Sequence, residues 1–184
     1  MKKIVLFGDS LFNGFRHHRN TDLVRKNLQE KLGKDFDIIN LSLSGATTVE
    51  GLDYLPQIPA DSDLIIIEYG TNDSSIVGIS CENYRKNLET MIKFCDPKKV
   101  IIVSPWHSKP GVNYTIEQNL QENFASAKKL AQKYNCHFVN LWQITNGKKD
   151  IDQYYQNDGL HLTELGNEQL VKLLITAIKK KLSN

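Results

Sequence analysis

Long apolar segments are missing from this 184-residue chain. Met1-Lys2-Lys3 has the look of a leader's charged start, but only Ile4 to Phe7 follow before Gly8-Asp9 interrupts. A secretory core needs roughly 7–15 apolar residues and a membrane span about 20. The expectation is a cytoplasmic protein with no membrane span. Cysteine is also scarce: Cys81, Cys95 and Cys136 are scattered without CxxC spacing, which suggests neither a disulfide framework nor a cysteine zinc site and fits a reducing compartment. No charge sign dominates, since 23 Lys+Arg against 21 Asp+Glu leave a formal +2. That balance lacks the concentrated basic field of a nucleic-acid binder. The five histidines form no HExxH and do not cluster with carboxylates at ligand spacing, so no metal is expected. Glycine-rich signatures are incomplete too. Phe12 breaks a G-x-S-x-G elbow around Ser10, and Gly8 to Gly14 lacks the GK[ST] ending of a phosphate loop.

What is present is a series of short apolar runs: Lys3 to Phe7, Phe36 to Leu41, Leu64 to Tyr69, Val100 to Val103 and His137 to Leu141. Rich in Ile and Val and unbroken by polar alternation, they read as buried parallel strands. Helical patterns lie between them at Asp22 to Leu32, Cys81 to Phe94 and Ile116 to Tyr134, with a weaker one at Val49 to Leu55. The clearest helix spans Thr163 to Leu182, where Leu170, Leu173, Leu174, Ala177 and Ile178 share a face. Thr163 can cap its start, and Lys179 to Lys181 suit the negative end of its dipole. Without repeats or a Pro/Gly-rich linker, residues 1–184 read as a single domain. The expected fold is α/β: a three-layer α/β/α sandwich on a flavodoxin-like, parallel five-stranded sheet.

In such sheets ligands bind beyond the carboxyl ends of the strands. The loops there hold Gly8-Asp9-Ser10-Leu11, Ser42-Leu43-Ser44-Gly45 and Gly70-Thr71-Asn72-Asp73, and a fourth group, Asp158-Gly159-Leu160-His161, precedes the last helix. A serine hydroxyl needs a base and a third group to orient that base. His161 is the natural base near pH 7, and Asp158 can hold its other ring nitrogen. The tetrahedral oxyanion requires fixed donors, for which the backbone N–H groups of Ser10 and Gly45 and the Asn72 side-chain amide are candidates. Taken singly, each group is ordinary turn chemistry. All four, in order and with the first three at strand ends, read together as a triad with its oxyanion hole.

With these blocks the chain resembles the SGNH (GDSL) hydrolases. The four blocks match Gly8-Asp9-Ser10-Leu11, Gly45 after Asn40, Gly70-Thr71-Asn72-Asp73 and Asp158-Gly159-Leu160-His161, over nearly the whole chain. The resemblance implies Ser10 as nucleophile, Gly45 and Asn72 as oxyanion donors, the Asp158/His161 pair completing the triad, and no metal or organic cofactor. Two departures stand out. Phe12 occupies a position where relatives carry a small hydroxyl residue, and Asn140 one where they often carry Asp; both bear on pocket shape.

Trp106 and His107 follow the fourth strand and are expected at the substrate cleft, since aromatics at a rim contact acyl chains or ring faces. Trp142, Tyr154 and Tyr155 lie in the approach to Asp158, where Trp142 reads as packing. His17 and His18 read as surface residues and His137 as structural. The function expected is hydrolysis of a small carboxylic ester through an acyl-serine intermediate. Acyl transfer would use the same residues. A signalling or binding module on the same sheet, such as a phospho-receiver, would need an acidic cluster where Ser10 stands and a lysine where Leu141-Trp142 stands.

Overall fold

The computed structural model describes residues 1–183. Among these residues lie seven strands and five α-helices, in the order β1 Lys2–Phe7, β2 Phe15–Arg16, β3 Arg19–Asn20, α1 Leu23–Leu32, β4 Phe36–Asn40, α2 Thr48–Tyr54, β5 Leu64–Glu68, α3 Cys81–Phe94, β6 Val100–Val103, α4 Glu117–Lys133, β7 His137–Val139 and α5 Glu164–Leu182. Five of the strands form a parallel sheet in the order β4-β1-β5-β6-β7. The three-layer parallel architecture expected from the sequence is therefore the one observed.

The apolar runs do not alternate because both faces of the sheet are covered. Ile4, Leu6, Ile66 and Ile101 point into one layer with Val24 and Leu28 of α1 and Leu170, Leu174 and Ile178 of α5. Val5, Phe7, Ile65, Ile67 and Ile102 point into the other, against Leu88, Met91 and Ile92 of α3 and Ala127 and Leu130 of α4. Burying a side chain of this size stabilises by about 1.5–3 kcal/mol relative to leaving it exposed. Three of the described helix starts are capped by neighbours in sequence. Thr47 and Glu50 form a reciprocal capping box at α2, Ser80 accepts from Asn83 N–H at α3, and Thr163 accepts from Gly166 N–H at α5.

The sheet order reverses between β1 and β5, so the loops after these neighbouring strands diverge and leave a crevice at their carboxyl ends. Two features depart from the sequence reading. The short β2/β3 ribbon was not anticipated; His17 and His18 form its exposed turn at φ 50° and 60°. Phe12, expected to shape the pocket, is instead fully buried in the core beside Val24 and Leu28. Asn140, the other position that differs from relatives, accepts from Trp142 N–H and starts a 3-10 turn. No described helix is long and apolar enough to cross a membrane.

Candidate active site

The loop after β1 carries Asp9 and Ser10, and that after β4 runs beside it, tied by Leu41 N–H to Leu6 O and Leu43 N–H to Gly8 O, both 2.9 Å. Asn13 reinforces the pair by donating to Ser44 Oγ at 3.0 Å and Ser42 O at 3.2 Å. Gly45 follows at φ 82°, a left-handed conformation that favours glycine, and space beyond its Cα is open. Among the described residues, neither Ser10 nor Gly45 N–H donates to a protein acceptor. Two main-chain donors of the expected oxyanion site are thus unspent.

The fourth block is held by a tight hairpin. Gln156 N–H donates to His161 O at 2.7 Å, and Thr163 N–H to Tyr154 O at 3.0 Å. Gln156 Nε2 reaches Phe15 O at 2.7 Å and Leu162 O at 2.9 Å, which fastens this hairpin to the β2/β3 ribbon. Within it, Asp158 Oδ1 accepts from the N–H groups of Leu160 and His161, both at 2.9 Å. That leaves Oδ2 for His161 Nδ1, 2.7 Å away. His161 Nε2 then lies 3.0 Å from Ser10 Oγ, across 151 positions of sequence. The Phe15 ring leans on the imidazole with centroids 4.7 Å apart. Partial burial raises the Asp158 pKa, but the hydrogen bonds from Leu160 and His161 outweigh it, so the carboxyl is held below its usual range.

Asn72 follows β5, and its amide is more committed than the sequence suggested. Nδ2 donates to Asp9 Oδ2 at 2.8 Å and to Ala46 O at 2.9 Å, while Oδ1 accepts from Tyr114 O–H at 2.7 Å. Both amide hydrogens already have acceptors, so an oxyanion has to share one of them. The orientation is fixed, since a flipped amide would face its oxygen to a carboxylate and a carbonyl.

Trp106 and His107 separate. Trp106 is 2% exposed and walls the small cavity over Ser10 and His161, with its indole N–H on Leu160 O at 2.9 Å. Thr71 ties it to β5, accepting from Trp106 N–H at 2.8 Å. His107 was expected at the same cleft but is not among the cavity's walls. It is drawn instead into an aromatic cluster, packed between Trp106, Trp142 and Tyr155, where Nε2 finds Thr145 Oγ1 at 2.9 Å. Burial pushes its pKa down. Tyr114 and the buried Glu68 are residues the sequence reading passed over. No group of three or more His, Cys, Asp or Glu side chains is arranged to hold a metal among the described residues.

The cavity is narrow. Its walls are Asp9, Ser10, Leu11, Thr71, Asn72, Trp106, Leu160 and His161.

Residues 6–169 match the model of the GDSL-like lipase/acylhydrolase family. The chain belongs to that family. A lipase/acylhydrolase from Enterococcus faecalis superposes with a TM-score of 0.89 at 30% identity, covering 98% of this chain and 97% of that one. The human isoamyl acetate-hydrolyzing esterase 1 homolog is 25% identical over 99% of this chain and 83% of its own length. The arylesterase of Vibrio mimicus is 34% identical over half of this chain and 47% of its own. An acetyl xylan esterase, at 20% identity and a TM-score of 0.75, shares the fold. Like the family, this protein is a carboxylic-ester hydrolase.

Proposed function

We propose that the protein hydrolyses small, short-acyl esters through an acyl-Ser10 intermediate. The observation that carries this reading is the unbroken chain Ser10 Oγ, His161 Nε2, His161 Nδ1, Asp158 Oδ2, with links of 3.0 and 2.7 Å at its two ends. Ser10 Oγ attacks the ester carbonyl while His161 Nε2 takes its proton. Asp158 stabilises the resulting imidazolium and keeps the correct nitrogen facing the serine. The oxyanion is received by the N–H groups of Ser10 and Gly45 and by a shared hydrogen of Asn72. As the intermediate collapses, His161 returns the proton to the departing alcohol oxygen. Water, deprotonated by the same imidazole, then attacks the acyl-serine; His161 hands that proton to Ser10 Oγ as the acyl–oxygen bond breaks, and the acid is released.

The small cavity over Ser10 and His161, walled by Trp106 and Leu160, favours a small acyl group over a long chain. The name of the human relative, which specifies an acetate ester, agrees with that size. The three free cysteines fit the cytoplasm, where we place the protein.

The test is steady-state hydrolysis of nitrophenyl esters of increasing acyl length. The acetate should be turned over best, and Ser10→Ala and His161→Ala should each abolish its turnover. Retained turnover in either variant rejects the nucleophile and base roles of these two residues; preference for acyl chains beyond about eight carbons rejects the short-acyl pocket.

A further inference from the structure

Behind the Ser10 loop lies an acidic cluster that the acyl-serine chemistry leaves unused. Glu68 ends the central strand β5 and is fully buried, as is Asp73, while Asp9 is 3% exposed. The main chain packs so tightly here that a Cβ on Gly8 would lie 2.5 Å from Glu68 O and 3.0 Å from Glu68 Oε2. None of the three carboxyls is ion-paired with a lysine or arginine among the described residues.

Their hydrogen bonds are unequal. Asp9 accepts from Leu11 N–H at 2.9 Å through Oδ1 and from Asn72 Nδ2 at 2.8 Å through Oδ2. Asp73 Oδ1 accepts from the N–H and O–H of Thr48 at 2.9 and 2.6 Å. Neither oxygen of Glu68 has a well-formed hydrogen bond among the described residues, and its carboxyl faces the backbone N–H and the carboxyl of Asp9. A buried carboxylate with at most one weak donor and no cation takes up a proton, and two carboxyls sharing a site hold one between them.

We propose that Glu68 is a positioning residue for the oxyanion side of the site: as a neutral acid it donates its O–H to Asp9, so that Asp9 stays a charged acceptor and holds both the Leu11 N–H and the Asn72 amide in place. The proposal rests on the catalytic roles of Ser10 and Asn72 in the proposed ester hydrolysis.

The surroundings agree on where the proton sits. Burial first, then the negative charge of Asp9, pushes Glu68 well above the usual carboxyl range. Burial also raises Asp9, to about 6, against the opposing Leu11 and Glu68 hydrogen bonds. Of the other groups facing the pair, Asp73 adds negative charge, Tyr69 and Tyr84 remain neutral phenols, and His161 across the loop favours the ionised form of Asp9. These surroundings place the shared proton on Glu68 rather than on Asp9.

The test combines infrared spectroscopy of the full chain with kinetics. At pH 7.5 the wild type should show the carbonyl stretch of a protonated carboxyl, Ser10→Ala should keep it, and Glu68→Gln should lose it. Because Ser10→Ala is included, this readout stands whether or not Ser10 proves to be the nucleophile. Absence of the band, or its survival in Glu68→Gln, overturns the proposal. Kinetically, Glu68→Gln replaces one neutral donor by another and should keep kcat within about threefold. Glu68→Leu removes the donor and should lower kcat roughly ten- to a hundredfold with KM unchanged, moving the acid limb of the profile to higher pH as Asp9 protonates more readily. An equal loss in both variants with an unmoved pH profile would mark Glu68 as packing only.

Discussion

Tyr114→Phe deletes one oxygen atom and tests how the Asn72 amide is held. The tyrosine is half-buried in the segment before α4, and its O–H donates to Asn72 Oδ1 at 2.7 Å. Burial, helped by the charge of Asp9, lifts its pKa above the usual phenol range, so it stays a donor across the working pH. Two other partners, Asp9 Oδ2 and Ala46 O, also hold the amide and oppose its flipping. Losing the third partner therefore costs the net worth of one hydrogen bond, about 0.5–1.5 kcal/mol, rather than the whole donor. If that loss is felt where the oxyanion develops, kcat for nitrophenyl acetate falls roughly two- to twelvefold. KM should stay within about twofold, because the ground-state ester does not depend on the amide's orientation. A raised KM with unchanged kcat would show that Tyr114 contacts substrate, and no change in either would remove it from the site.

Two further outcomes follow from burial and charge. Trp106→Ala removes the largest cavity wall and the bond to Leu160 O; it should cost about 3–5 kcal/mol in a denaturant titration, yet raise hexanoate relative to acetate turnover by roughly tenfold. Asp9 gives a pH signature in thermal melts. Its pKa rises from 3.8 to about 6 on folding, so between those values the folded state binds more protons than the unfolded one. The Asp9 contribution to stability is then greatest below pH 3.8, declines as pH rises through about 6, and is constant above. The melting-temperature difference between wild type and Asp9→Asn should shift against the wild type over that window; a shift in the opposite direction would mean that Asp9 is stabilised as an anion by folding.

The five sheet strands were legible because burial on both faces writes continuous Ile/Val runs into the chain. Their carboxyl ends were less so. Leu41, Tyr69 and Leu141 extend the apolar runs past the last ladder residues, yet Leu41 belongs to a loop, Tyr69 fills the adjoining layer, and Leu141 begins a 3-10 turn. The β2/β3 ribbon escaped notice because two-residue strands carry no periodicity and its turn uses histidines in place of glycine or asparagine. In the site, the loop blocks stood out because each of the first three follows a recognisable strand and the fourth precedes the clearest helix. Adjacency misled at His107, which shares a loop with Trp106 but is drawn into the aromatic cluster. Tyr114 and Glu68 had no signal of their own: one meets Asn72 across 42 positions from a patternless loop, and the other lies inside the run Leu64 to Tyr69, where the apolar pattern gives a lone carboxylate no role.

The most direct measurement is to react the protein with a fluorophosphonate and locate the adduct by mass spectrometry. A single phosphonyl group on Ser10, absent from Ser10→Ala and formed far more slowly in His161→Ala, is the predicted result. An adduct on another residue, or equal labelling of wild type and Ser10→Ala, would contradict the account.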